Sequence, residues 1–349
     1  MNFKKILTSV ASLAVILTSV PAFAAELPKL TSAWLGEFET FVAWHAKNNG
    51  WDKEQGFELS MIPFDSGKNI VENLAATNWS VAGCGAMPSL VEPLSDYVYI
   101  IGVANDESAS NAIYVRKDSP IMEKKGNNPS FPDVYGSTET VAGKKILYTK
   151  NTSGHYLLSN WLKILGLTEK DVVLHEMEPT PALSSFTGGD GDIISLWAPF
   201  TFEAEEKGFQ TAAKALDCGL TQYIFLLANK NFADKNPAQV TAFLKMYLKA
   251  LENIKNTDTA ALAKEYVKFY KEWTGNDLLE SHAELDIQRH IVFLLDEQLE
   301  MFAPNGIIQQ YVTDMIDYTI AHGEFTPRQI DRMKANSKIT DTFLKALAK

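Results

Sequence analysis

Apolar residues recur along this chain in two alternating rhythms. Short runs rich in β-branched and aromatic residues read as strands, and longer stretches with apolar residues three and four apart read as helices. The pattern predicts a strand over 30–35, a helix over 40–49 with Phe41, Trp44 and His45 on one face, and a strand over 57–63. A helix over 68–77, with Ile70, Val71 and Leu74 inward, and a strand starting at 81 come next. Pro88 suits the first residue of the following helix, since the N–H it lacks would be unsatisfied there. Strands over 97–104 and 112–115 close this block as a pair. Residues 118–140 break the rhythm: rich in Gly, Pro, Asn and Ser, they read as a long surface connection. The alternation then restarts, with strands over 145–149, 172–175 and 192–197 and helices over 153–165 and 180–187. A further strand covers 223–228, and from 237 onward the pattern is almost purely helical; over 239–255 Val240, Phe243, Leu244, Tyr247, Leu251 and Ile254 form one stripe. Strands alternating with helices imply open α/β sheets with parallel pairing. Two α/β lobes and C-terminal helices are therefore expected.

The first residues carry a different signal. Lys4 and Lys5 precede a 15-residue apolar run over 6–20, which ends at Pro21-Ala22-Phe23-Ala24. These are the parts of a secretory signal peptide, with cleavage expected between Ala24 and Ala25. The run is shorter than the roughly 20 residues a membrane-spanning helix needs. A soluble, exported, periplasmic protein is the expectation.

Charge narrows the partners. The chain holds 32 basic and 43 acidic residues, a net charge of −11. An acidic surface repels phosphate backbones, which argues against a nucleic-acid role, and against docking on anionic lipid through a basic face. Two cysteines, Cys84 and Cys218, exclude a disulfide-stapled miniature fold and a Cys-rich metal site, and leave their own pairing open. The six histidines are dispersed, so no metal is expected.

In open parallel sheets, ligands sit beyond the carboxyl ends of the strands. Two such sheets facing one another make a cleft between lobes. The first-lobe strand ends carry Glu37, Phe38 and Glu39, then Asp65, then Cys84, Gly85, Ala86 and Met87, then Asp106 and Glu107. The second-lobe ends carry Thr152, Ser153, Gly154 and His155, and then Trp197. Thr152 reads as a helix N-cap, which would leave backbone N–H groups of the first turn for a small anion. The acidic residues of the first lobe would suit an amine, and Trp197, Phe38, Phe41 and Tyr156 could wall off a cation.

Four segments carry a resemblance. Phe64-Asp65-Ser66-Gly67, Gly83-Cys84-Gly85-Ala86-Met87-Pro88, Thr152-Ser153-Gly154-His155-Tyr156-Leu157-Leu158 and Gly191 to Phe200, in that order, resemble the substrate-binding proteins of taurine, aliphatic-sulfonate and nitrate ABC importers, a group that includes thiamine-pyrimidine-precursor binders. The resemblance covers roughly residues 32–250. It implies a type II periplasmic binding fold whose chain crosses twice between hinged lobes. Lobe I would then be 25–117 plus 221–349, and lobe II 118–220. It also implies that the helix start at Thr152 to His155 holds an anionic head, helped by the loops at Glu37 to Glu39 and Cys84 to Met87, and that Trp197 belongs to the site. The chain departs from many relatives in having Ala198, where they carry Glu after that Trp, and in the 118–140 insertion.

The expected function is that of a monomeric, non-catalytic receptor. It delivers a small anionic or zwitterionic solute, with taurine or a related sulfonate favoured, to an inner-membrane permease and its ATPase, and it needs no cofactor. An amino acid, an aromatic acid or a thiamine precursor is the alternative ligand, and service to a chemoreceptor is compatible with the same features. An enzyme of the same fold, akin to a pyrimidine-precursor synthase, is disfavoured: that resemblance calls for a Cys-rich iron motif, and the chain shows neither that, nor His-Glu-x-x-His, nor a Gly-x-Ser-x-Gly elbow.

Overall fold

The computed structural model describes residues 26–87, 94–323, 325–335 and 338–349. The expected signal segment and the helix start expected at Pro88 lie outside the described residues. Ten strands are described: β1 (Lys29–Trp34), β2 (Glu58–Pro63), β3 (Val81–Gly85), β4 (Val98–Asp106), β5 (Ala112–Val115), β6 (Lys145–Tyr148), β7 (Val173–Glu176), β8 (Ile193–Leu196), β9 (Gln210–Lys214) and β10 (Tyr223–Asn229). They build two five-stranded sheets, ordered β2-β1-β3-β10-β4 and β7-β6-β8-β5-β9. In each sheet one strand runs against its neighbours: β10 in the first, β5 in the second. Each of these is the strand that follows a crossing between lobes. The two lobes are thus built to one plan.

Continuous apolar runs explain why β10 and β5 lie inside their sheets. All seven residues of β10 and all four of β5 are buried, as a strand covered on both faces requires. The first core gathers helix Phe38–Asn48, helix Pro237–Lys255 and the later helices around the first sheet, with Trp34 stacked on Tyr247 at 6.1 Å. In the second lobe the apolar residues divide between the two faces of the sheet, one cluster around Trp161 and Leu162, the other around Phe186 and Leu147.

Four expectations are corrected. Strand 112–115 does not pair with β4; it pairs antiparallel with β8 and β9, so the chain leaves the first lobe between Asp106 and Ala112, ahead of the expected boundary at Lys117. A short apolar run fixes that a strand forms, whereas its partner is chosen by the sheet it can reach. Strand β9 was not anticipated, because Gln210-Thr211-Ala212-Ala213-Lys214 has neither bulk nor alternation. Residues 118–140 are more than a surface connection: they form a 3-10 turn at Pro120–Glu123 and enter helix Thr138–Val141, and Ile121, Val134 and Val141 are buried in the second core. The helix over 68–77 is two pieces, Gly67–Glu72 and Leu74–Thr77, broken at Asn73. Among the described residues, no helix is long and apolar enough to cross a membrane.

Candidate ligand cleft

The cleft lies where the carboxyl ends of both sheets face one another. From the first lobe, Leu35 and Glu37 follow β1, Gly67 follows β2, Gly85 ends β3, Glu107 follows β4 and Ile224 belongs to β10. From the second lobe come Thr152 and Ser153, at the start of helix Ser153–Ile164, and Trp197 after β8. The space they enclose is small, about 20 Å³. The lobes are drawn together across it: the Trp197 indole Nε1–H donates to Glu37 Oε1 at 2.5 Å. At Gly85 an added Cβ would stand 3.9 Å from Ser153 Oγ, so the gap between the lobes there would just admit a methyl group.

Local sequence places these groups. Glu37 has extended backbone and caps helix Phe38–Asn48 through its C=O, which accepts from the N–H groups of Thr40 and Phe41. Its carboxyl is therefore free to point across the cleft. Thr152 caps the opposite helix: its Oγ1 accepts from His155 N at 3.3 Å and donates to Thr149 O at 2.7 Å. The first-turn amides of Ser153 and Gly154 have no partner within the helix itself.

Electrostatics of one sign dominate. Glu37, Glu39, Glu107 and Asp286 are all buried, and no Lys or Arg lines the cavity. Burial pushes the Glu37 carboxyl well above the usual carboxylate range, and the charges of Glu39 and Glu107 push the same way. Burial likewise raises Glu39 to about 8 and Glu107 to about 7, the latter against hydrogen bonds from Ser153 and Asn111. Asp286 is raised by burial too, against the charge of His290 and the bond from Tyr266. One oxygen each of Glu39, Glu107 and Asp286 is buried without a hydrogen-bond partner. Burial so far from water disfavours the charged form of each carboxyl.

The expected site residues divide. Glu37, Gly85, Thr152, Ser153 and Trp197 line the cavity, and Gly154 stands behind it, its C=O accepting from Ser195 Oγ at 2.7 Å. Glu39 lies one layer deeper. Phe38 belongs to the first core, stacked on His290 at 4.7 Å. Cys84 and Ala86 are core residues as well, and burial raises the Cys84 thiol far beyond any reactive range. Met87 and His155 line a separate cavity with Tyr318 and His322, and His155 Nε2 is 3.0 Å from Glu169. Asp65 is exposed outside the cavity. Asp106 turns to Ser108, accepting from its N–H at 2.8 Å, and its neighbour Glu107 takes the lining position. That swap follows from the pleat, which sends adjacent side chains to opposite faces. Asp286 comes from a C-terminal helix, beyond any strand-end argument. The two cysteines lie in different lobes, unbridged.

Relatives agree with this architecture. The description "putative ABC transporter periplasmic binding protein" belongs to a Brachyspira hyodysenteriae protein 25% identical over 67% of this chain and 67% of its own length. The taurine-binding periplasmic protein of Escherichia coli is 26% identical over 66% of this chain and 67% of its own length. The solved alkanesulfonate-binding protein SsuA from Xanthomonas axonopodis pv. citri, bound to MOPS, superposes with a TM-score of 0.67 at 16% identity, covering 91% of this chain and 99% of that one. The fold is accordingly the type II periplasmic-binding fold. A family model matches residues 24–268, and the chain belongs to the NMT1-like family.

Proposed function

We propose that this protein is the periplasmic, monomeric solute-binding component of an ABC importer, without catalytic activity, and that it captures a small solute carrying an ammonium group beside an anionic head. Taurine is the preferred candidate. The observation that carries this reading is the pairing across one cavity of two buried carboxyls, Glu37 and Glu107, with the helix start at Thr152 and Ser153, and with no basic side chain in the lining. The carboxyls answer the ammonium, and the first-turn amides and dipole answer the anion. Trp197 covers the cation with its ring plane. A ligand shifts the lobes toward closure only by binding the closed state better, so contacts from both walls are required. Closure then strengthens those contacts by removing water. The loaded form is what the permease and its ATPase receive.

A thermal-shift series with taurine, ethanesulfonate, nitrate and an aminopyrimidine tests the ligand class. Taurine at a hundredfold excess over Kd is expected to add about 2.7 kcal/mol of stability. Ethanesulfonate, which lacks only the amine, is expected to shift melting far less. A larger shift with ethanesulfonate or nitrate than with taurine overturns the amine reading. A second reading, an amine-bearing pyrimidine, draws support from the apolar walls Leu35 and Ile224 and from the proton that burial holds on Glu37; a shift with the aminopyrimidine alone decides for it.

A further inference from the structure

Both chain crossings meet at one side chain. Gln222, almost wholly buried, directly precedes β10 and spends each polar group on a different atom of the hinge. Its N–H donates to Ser108 Oγ at 2.8 Å, and its C=O accepts from Glu107 N at 2.9 Å, both on the first crossing. Its Oε1 accepts from Asn111 Nδ2 at 2.5 Å, also on the first crossing. Its Nε2 donates to the C=O of Ser153, in the second lobe, at 2.7 Å. The cavity lies at the same place: Glu107, whose N–H donates to Gln222, and Ser153, whose C=O accepts from it, both line it.

These partners do not move together. Gln222 is tied to the first sheet through Tyr223, and Ser153 to the second through its helix. Asn111 leads directly into β5, so the Asn111–Gln222 bond joins the two crossings side by side and can survive a rotation about them. The bond to Ser153 cannot, since it spans the lobes. In an opened cleft both of its groups can turn to water, so losing the donor costs the closed state and leaves folding nearly untouched.

We infer that Gln222 is a positioning residue, whose side-chain amide fastens the ligand-facing helix start against Glu107 and so couples the cavity to the hinge. Only the ligand arm of its test rests on the function proposed above. Gln222→Met and Gln222→Leu each remove the donor to Ser153 at similar volume. In small-angle scattering without any ligand, both variants are expected to show a larger radius of gyration than the unsubstituted protein, with melting temperatures within a few degrees of it. With taurine as probe, dissociation is expected to quicken about tenfold with association little changed, the pattern of a lost closed-state contact. Unchanged scattering with an unchanged taurine off-rate overturns the inference. If taurine does not bind at all, the ligand proposal fails and the scattering arm still decides this one. Should both variants fail to fold, exchange of the Gln222 side-chain NH₂ protons is measured in the unsubstituted protein: slow exchange supports the bond to Ser153, and exchange as fast as that of an exposed glutamine overturns it.

Discussion

Glu107 and Glu39 have similar surroundings and different consequences. Glu107 lines the cavity with one unpartnered oxygen, and burial raises it to about 7. An ammonium ligand needs it ionised, so taurine binding is expected to tighten as pH rises through about 7 and to release protons. Calorimetry in buffers of different ionisation enthalpy reads that release directly. Glu107→Gln is expected to weaken taurine about tenfold or more and to flatten the pH dependence. Glu39 sits deeper, raised by burial to about 8 from an unfolded value near 4.5. A raised carboxyl supports the fold fully below its unfolded pKa, and that support is lost as pH climbs through the folded one. The ligand-free protein is therefore expected to melt lower at about pH 8.5 than at about pH 5. Glu39→Gln should show a shallower decline and melt above the unsubstituted protein at the higher pH. An identical pH profile would remove Glu39 from the account.

At the scale of elements, helix Ser153–Ile164 has two tasks, one structural and one for the ligand. Thr152 spends its hydroxyl on the His155 amide and the Thr149 carbonyl. Thr152→Ala is expected to cost about 1 kcal/mol of stability, as the loss of a cap does. It also loosens the amides offered to an anion, so taurine affinity should fall by more than the affinity of an amine lacking a sulfonate. Equal losses for the two ligands would restrict Thr152 to its structural task. His155 shows why a helix start alone does not define a site: only two positions, about half a helical turn, separate the cavity-facing Ser153 from a histidine committed to Glu169 and to a different cavity. A strand end shows the same. Asp106 and Glu107 are adjacent in sequence, and only the second reaches the cavity.

Contacts at several places hold the two halves of the molecule together. Beyond Trp197–Glu37 and Gln222–Ser153, Lys68 Nζ reaches Glu176 Oε1 at 3.0 Å across the rim, and Tyr318 OH lies 2.6 Å from Ser159 Oγ. The rim pair is partly exposed to water, so Lys68→Ala should change stability by under about 1 kcal/mol. The buried contacts decide the closed state, and they include Phe202 of the second lobe stacked on His282 of the first at 5.1 Å. Saturating taurine is expected to shrink the radius of gyration of the protein in solution. A receptor whose scattering curve stays the same, empty or saturated, would not be working by closure.

The rhythm of apolar residues sufficed for two α/β lobes, for nearly every strand of the sheets and for the long C-terminal helices, because burial of alternating or three-and-four-spaced side chains is a local demand written into the order of residues. The strand ends then pointed to Glu37, Gly85, Thr152, Ser153 and Trp197, since parallel sheets gather their carboxyl ends on one side. Partnership was decided elsewhere. That β5 joins the second sheet, that Ala212 and Ala213 sit in a strand, that Glu107 faces the cavity in place of Asp106, and that Asp286 joins the acidic group from a distant helix all depend on which segments meet across the fold. Charge followed the same division: the sequence supplied the carboxyls, and only their common burial, with no Lys or Arg in the cavity lining, raised them above the usual carboxylate range.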